Sequence, residues 1–208
     1  MNTVEKHALW LRLLHWFNVP LVLLMIWSGI LIYWANDIYW LFFPEAFYKL
    51  FHIGGRLAEG IYIHFFVAWF FIINGLLYLI FLFASGHWRE LFPNRQTPRW
   101  IIPTILHDMG IRKEPLPREK FNAMQKLAYS SVIGFGILAV LSGFAIYKPV
   151  QLGWLTACFG GYEVARGIHF LMMLLMTGFI GLHGLQVVRA GWNNFRAMVA
   201  GFEVENDN

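Results

Sequence analysis

Of 208 residues, 58% are apolar, 18% aromatic and only 13% charged, against about 25% charged in soluble domains, which excludes both a soluble globular domain and a disordered chain. The net charge is +4, but no basic run is interleaved with aromatics, so nothing points to nucleic acid. A single cysteine, Cys158, excludes an intrachain disulfide, a cysteine-based zinc or iron–sulfur centre and C-x-x-C-H cofactor attachment.

Four apolar segments are long enough to cross a bilayer, since about 20 helical residues match a hydrocarbon core of about 30 Å. They are expected near 13–35, 61–84, 127–147 and 164–188. The first is longer than the core of a signal peptide and no small-x-small cleavage site follows it, so it reads as a retained span. The stretch from about 36 to 60 holds Trp40, Phe42, Phe43, Phe47 and Phe51 with few charges, which predicts a helix lying in the membrane interface. The loop between the second and third spans is proline-rich and has no strand alternation.

Lysine and arginine are divided unequally between the two sides. Lys6, Arg12, eight residues between spans two and three, Arg189 and Arg196 lie on one side, whereas Lys49, Arg56, Lys148 and Arg166 lie on the other. The 12-to-4 split predicts both termini in the cytoplasm. The expectation is an all-α membrane protein: one transmembrane domain over 1–208, built as a four-helix bundle in the bacterial cytoplasmic (inner) membrane.

Two signatures recur in the same order. Ser28-Gly29-Ile30-Leu31-Ile32-Tyr33 in span one matches Ser142-Gly143-Phe144-Ala145-Ile146-Tyr147 in span three, and Ile63-His64-Phe65 in span two matches Ile168-His169-Phe170 in span four. This predicts a duplicated helical hairpin. Small residues at Gly29, Gly75, Gly143, Gly178, Gly181 and Gly184 allow either close helix packing or the approach of a flat ligand.

Ionisable residues inside a membrane are costly and mark function by default. His15, His64, His169 and His183 qualify. Fourteen residues separate His169 from His183, which returns within about 40° of the same helix face about 21 Å further along. By depth His64 matches His169 toward the outside, and His15 matches His183 toward the inside. Any one such histidine is more simply read as hydrogen-bonded to a neighbouring helix; two depth-matched pairs are what two b-type haems require. Zinc is disfavoured, since each depth supplies two imidazoles and no nearby Cys, Asp or Glu completes four ligands. His7, His87 and His107 fall in polar flanks. His52 competes with His64 but lies twelve residues earlier, above the expected depth.

Arg12-Leu13-Leu14-His15-Trp16, the His64 helix with Asn74-Gly75-Leu76-Leu77-Tyr78, Asn122-Ala123-Met124-Gln125-Lys126 and the His169/His183 pair together resemble the cytochrome b subunits of membrane-bound formate dehydrogenases and nickel–iron hydrogenases, and prokaryotic di-haem cytochromes b of similar size. The resemblance spans about residues 8–196. It implies two haem b groups and exchange with the quinone pool (menaquinone or ubiquinone) near the inner haem. It also implies a partner: a periplasmic molybdenum or nickel–iron oxidoreductase, or another periplasmic electron carrier. In such subunits the Asn of N-A-x-Q-K lines the quinone pocket, which carries over onto Asn122, with Gln125 and Lys126 as neighbours. Met124 stands where a small residue is often found.

Quinone chemistry moves two electrons and two protons, so a headgroup needs hydrogen-bond donors and a proton source. Asn122 offers an amide, and His107 and Asp108 lie on the same side. Asn122 followed by Gln125 is equally a capping-box pattern. Two other functions compete: a stand-alone di-haem cytochrome that oxidises superoxide while reducing quinone, and a haem-free membrane anchor.

Overall fold

The computed structural model describes residues 2–35, 45–117 and 119–205. Trp40, Phe42 and Phe43, part of the expected interfacial helix, lie outside them, as does Arg118. Among the described residues, ten elements follow one another: β1 (Asn2–Glu5), α1 (Leu9–Tyr33), α2 (Glu45–Leu50), α3 (Leu57–Ala84), α4 (Trp88–Leu91), α5 (Thr97–Asp108), α6 (Ala123–Tyr147), α7 (Gly153–Cys158), α8 (Tyr162–Ala200) and β2 (Phe202–Glu205). The four long helices α1, α3, α6 and α8 are each apolar and long enough to cross a membrane. Their side chains are largely uncovered: Trp69 is 57% exposed, Leu182 66% and Val188 78%. Outward-facing side chains of this kind need lipid rather than water around them.

The chain forms two compact units, residues 1–79 with 190–208, and residues 80–189. In the first unit α1 and α3 meet where Gly60 lets backbones close up: a Cβ there would lie 2.9 Å from Leu31 Cβ and 3.2 Å from the Ile32 nitrogen. Buried Asn74 of α3 donates from Nδ2 to the Leu14 carbonyl at 3.2 Å and to Asn18 Oδ1 at 3.3 Å. A buried amide with two partners offsets its own desolvation. Helix α2 is held by Tyr48, buried and edge-on to Trp34 at 6.1 Å.

The last helix runs twelve residues past the expected end of span four, but not straight. Gly191 has φ 80 and ψ 176, a region essentially restricted to glycine, and it breaks the spanning part from a short helix that ends at Ala200. The chain then turns at Gly201 (φ 94) into β2, which pairs antiparallel with β1, Asn2 opposite Glu205 and Glu5 opposite Phe202. Arg12 and Trp16, one turn apart on α1, donate to the carbonyls of Val199 (2.7 Å) and Met198 (3.0 Å). A cation and an indole N–H thus satisfy the orphan carbonyls at a helix C-terminus.

In the second unit α4, α5 and α7 pack on α6. Ala145, Leu155 and Ala165 form a small core, with Phe144, Ile146, Leu152 and Phe159 against it. Thr156 Oγ1 donates to the Ala145 carbonyl at 3.0 Å, which ties α7 to the end of α6.

Candidate functional site

The four histidines of interest all sit on spanning helices: His15 on α1 and His64 on α3 in the first unit, His169 and His183 on α8 in the second. Each is half-buried. His52, by contrast, is exposed in the turn between α2 and α3 with φ 50. His7 precedes α1, His87 precedes α4 and His107 ends α5 beside Asp108, all outside the spanning helices.

His64 meets the repeated signature of α1. Its Nδ1 lies 2.9 Å from Ser28 Oγ, and that hydroxyl is also 2.6 Å from the Leu24 carbonyl and 3.2 Å from the Met25 carbonyl. A serine has one proton, and carbonyls only accept. The hydroxyl proton therefore goes to the backbone one turn earlier, and the contact with the ring is an N–H of His64 donating to Ser28. Nδ1 carries the hydrogen, and Nε2 keeps its lone pair.

The second unit repeats this arrangement. Ser142 Oγ donates to the Leu138 and Ala139 carbonyls at 2.6 and 3.2 Å. His169 Nδ1 lies 3.2 Å from that oxygen and 2.9 Å from the Ala139 carbonyl, and a carbonyl acceptor assigns the hydrogen to Nδ1 independently. The adjacent glycine lies beside the ring in both places: a Cβ on Gly143 would crowd His169 Cε1 at 3.2 Å, and one on Gly29 would be in ordinary contact with His64 Cε1 at 3.5 Å. An imidazole whose Nδ1–H is fixed in this way presents Nε2 to a metal.

The other two histidines have aromatic neighbours. His183 stacks on Phe179 one turn away, with ring centres 5.7 Å apart and planes 8° apart. His15 meets Trp16 edge-on at 5.4 Å. Arg12 and Trp16, which flank His15 in its motif, both bond to carbonyls at the end of the 192–200 helix.

At the start of α6 the capping box is present. Asn122 Oδ1 accepts from the Gln125 nitrogen at 2.8 Å, and Gln125 Oε1 accepts from the Asn122 nitrogen at 3.0 Å. Both side-chain oxygens are consumed by the cap, and both NH2 groups remain as donors. Beneath them Lys126, 5% exposed, is paired with Glu119. A cavity of about 20 Å3 lies among Thr97, Trp100, Thr104, Glu119, Asn122 and Lys126, room for about one water.

The sequence singled out the histidines and Asn122 as candidates but did not identify Ser28 and Ser142 as imidazole partners or the Glu119–Lys126 pair. The repeated Ser-Gly was the available signal for the first. Nothing in the spacing announced the second, because Glu119 lies in an irregular segment.

Compared with known proteins, residues 6–201 match the family described as prokaryotic cytochrome b561. A protein of Azospira oryzae named "Putative protein-methionine-sulfoxide reductase subunit YedZ1" is 36% identical over 178 residues, covering 85% of this chain and 87% of that relative.

Proposed function

The chain belongs to the prokaryotic cytochrome b561 family of multi-pass membrane electron-transfer proteins, and on that premise we propose that it is a di-haem, quinol-reactive subunit that delivers electrons to a periplasmic reductase. Family membership implies haem b. The donor set fits that group: His64 and His169 each carry the hydrogen on Nδ1, the tautomer in which Nε2 can serve as a metal ligand, each ring lies beside a glycine, and there is no thiol pair for covalent attachment. When bound, haem b supplies a one-electron carrier inside the membrane. The protein's part is to hold it through His15, His64, His169 and His183, paired by sequence depth as His64 with His169 and His15 with His183. The observation that carries this reading is the imidazole–serine–glycine arrangement, present once in each unit.

Asn122 and Gln125 serve as donors to the headgroup oxygens, with Lys126 and Glu119 as the charged pair through which protons pass to water. The name of the Azospira oryzae relative, a subunit of a reductase, supports a direction of electron flow from quinol outward. Reducing a sulfoxide consumes two electrons and two protons and forms water, and oxidising a quinol to quinone releases two of each. The site would then be a quinol-oxidising one on the side of the basic loop, in the cytoplasmic membrane with both termini inside.

The test is to purify the chain and quantify extractable haem, then add quinol and record the reduced-minus-oxidised spectrum. Two haems per chain, reduced by quinol and reoxidised by a co-purifying periplasmic reductase, is the expected result. One haem or none removes the four-histidine assignment. Reduction by superoxide with no partner subunit instead favours a stand-alone cytochrome.

A further inference from the structure

We infer that Ser28 and Ser142 are equivalent positioning residues, one in each hairpin, that fix the tautomer of His64 and His169 and lower the reduction potential of the haem these rings hold. The inference rests on the reading of His64 and His169 as iron ligands, and it gives the repeated Ser-Gly signature a physical role.

The two contacts share their chemistry, except that His169 Nδ1–H is divided between Ser142 Oγ at 3.2 Å and the Ala139 carbonyl at 2.9 Å. Each serine gives its proton to the carbonyl four residues earlier, Leu24 or Leu138, at 2.6 Å. A hydroxyl committed this way is left with lone pairs, so it acts toward the ring as an acceptor. Each then receives Nδ1–H from the facing histidine, at 2.9 Å in the first hairpin and 3.2 Å in the second. Both serines are fully buried, at 0% exposure, so water does not replace the contact.

The chain separation differs, 36 residues in one case and 27 in the other. The recurrence is therefore not a by-product of connector length. Glycine follows each serine and lies beside Cε1 of the ring, where a Cβ would be tight at Gly143 (3.2 Å) and in ordinary contact at Gly29 (3.5 Å).

The consequence for the iron follows from charge. An acceptor on Nδ1–H makes the imidazole more basic at Nε2, which favours the ferric state and lowers the potential. Removing the acceptor moves the potential upward. Ala139 adds a carbonyl at 2.9 Å from His169 Nδ1, which Ser142→Ala leaves in place, so the smaller shift belongs to that variant.

The experiment is spectroelectrochemical titration of the full chain with its haems, together with low-temperature electron paramagnetic resonance of the ferric form, on Ser28→Ala, Ser142→Ala, the double variant, Ser28→Thr and Ser142→Thr. The expected result is two haems retained and one midpoint potential raised, by more in Ser28→Ala than in Ser142→Ala and most in the double variant. The second potential stays unchanged, and threonine restores the wild-type value. Loss of one haem from an alanine variant that threonine reverses supports the same role. Unchanged potentials and ferric signals in the alanine variants overturn it, as does a haem loss that threonine does not reverse. His64→Ala and His169→Ala form the control: if both retain two haems, the ligand assignment itself has failed.

Discussion

A Cβ added to Gly60 would lie 2.9 Å from the Cβ of Leu31, a distance that real side chains do not adopt. In the other hairpin the corresponding places, four residues before the histidine and three after the serine, are Ala165 and Ala145, both at 0% exposure and in one core cluster. One hairpin combines glycine with leucine, the other alanine with alanine, and each fills its helix crossing.

Gly60→Ala should therefore overpack the first hairpin, at a cost of about 1–3 kcal/mol. Adding Leu31→Ala, which copies the second hairpin, should recover most of that loss. Thermal unfolding in detergent measures both, and a double variant less stable than Gly60→Ala alone would refute the equivalence of the two crossings.

His64→Ala should release one haem and leave the other, and His15→Ala should release the other one. His52→Ala should retain both, since that residue is exposed in a turn. Haem quantitation and the reduced-minus-oxidised spectrum read all three. Loss of haem from the His52 variant would transfer the ligand role to that residue.

Asn122 does two jobs with different atoms, so substitutions can separate them. Asn122→Ala removes the cap acceptor, worth about 1 kcal/mol, and the NH2 donor as well. Asn122→Ser keeps an acceptor for the cap but has no amide. It should melt near wild type yet bind quinol analogues roughly two- to tenfold more weakly, the equivalent of one neutral hydrogen bond. Unchanged quinol kinetics in the serine variant would leave Asn122 as a cap alone.

Arg12→Ala should loosen residues 192–205 without melting the spanning helices. The guanidinium bond to the Val199 carbonyl, at 2.7 Å, is a charged-group hydrogen bond of about 1.5–3 kcal/mol. Hydrogen exchange should accelerate in 192–205 and hardly change in α3. Uniform acceleration throughout the chain would mean that Arg12 supports the whole fold instead.

The spanning helices were legible because lipid imposes a length and a composition on them. The starts of α1 and α8 fall within four residues of expectation, and α3 and α6 end where they were read. The duplicated hairpin was legible too, since Ser-Gly and Ile-His-Phe recur intact. The β1–β2 pair was not: four-residue strands carry too little alternation to register, and their pairing depends on residues about 200 apart in sequence. The Gly191 break was equally hidden, because Gly191 lies three residues past the expected end of span four and the helix that follows it was not anticipated. For Asn122, spacing predicted the cap, which the structure contains, whereas the quinone role came from the resemblance and is left to the amide NH2 that the cap does not use.

Pairing β1 with β2 also sets an order of events during synthesis. Asn2–Glu5 leaves the ribosome first, whereas its partner Phe202–Glu205 follows only after all four spanning helices have been made. Until then the strand, and the Arg12 and Trp16 donors that await Val199 and Met198, must be satisfied by water. The closing of this short sheet is thus a late step in biogenesis, with a large loop-closure entropy in an isolated chain that prior insertion of the helices into the bilayer would reduce. A ribosome stalled before Phe202 would leave β1 accessible to a protease on its own side of the membrane, and synthesis of Phe202–Glu205 would protect it.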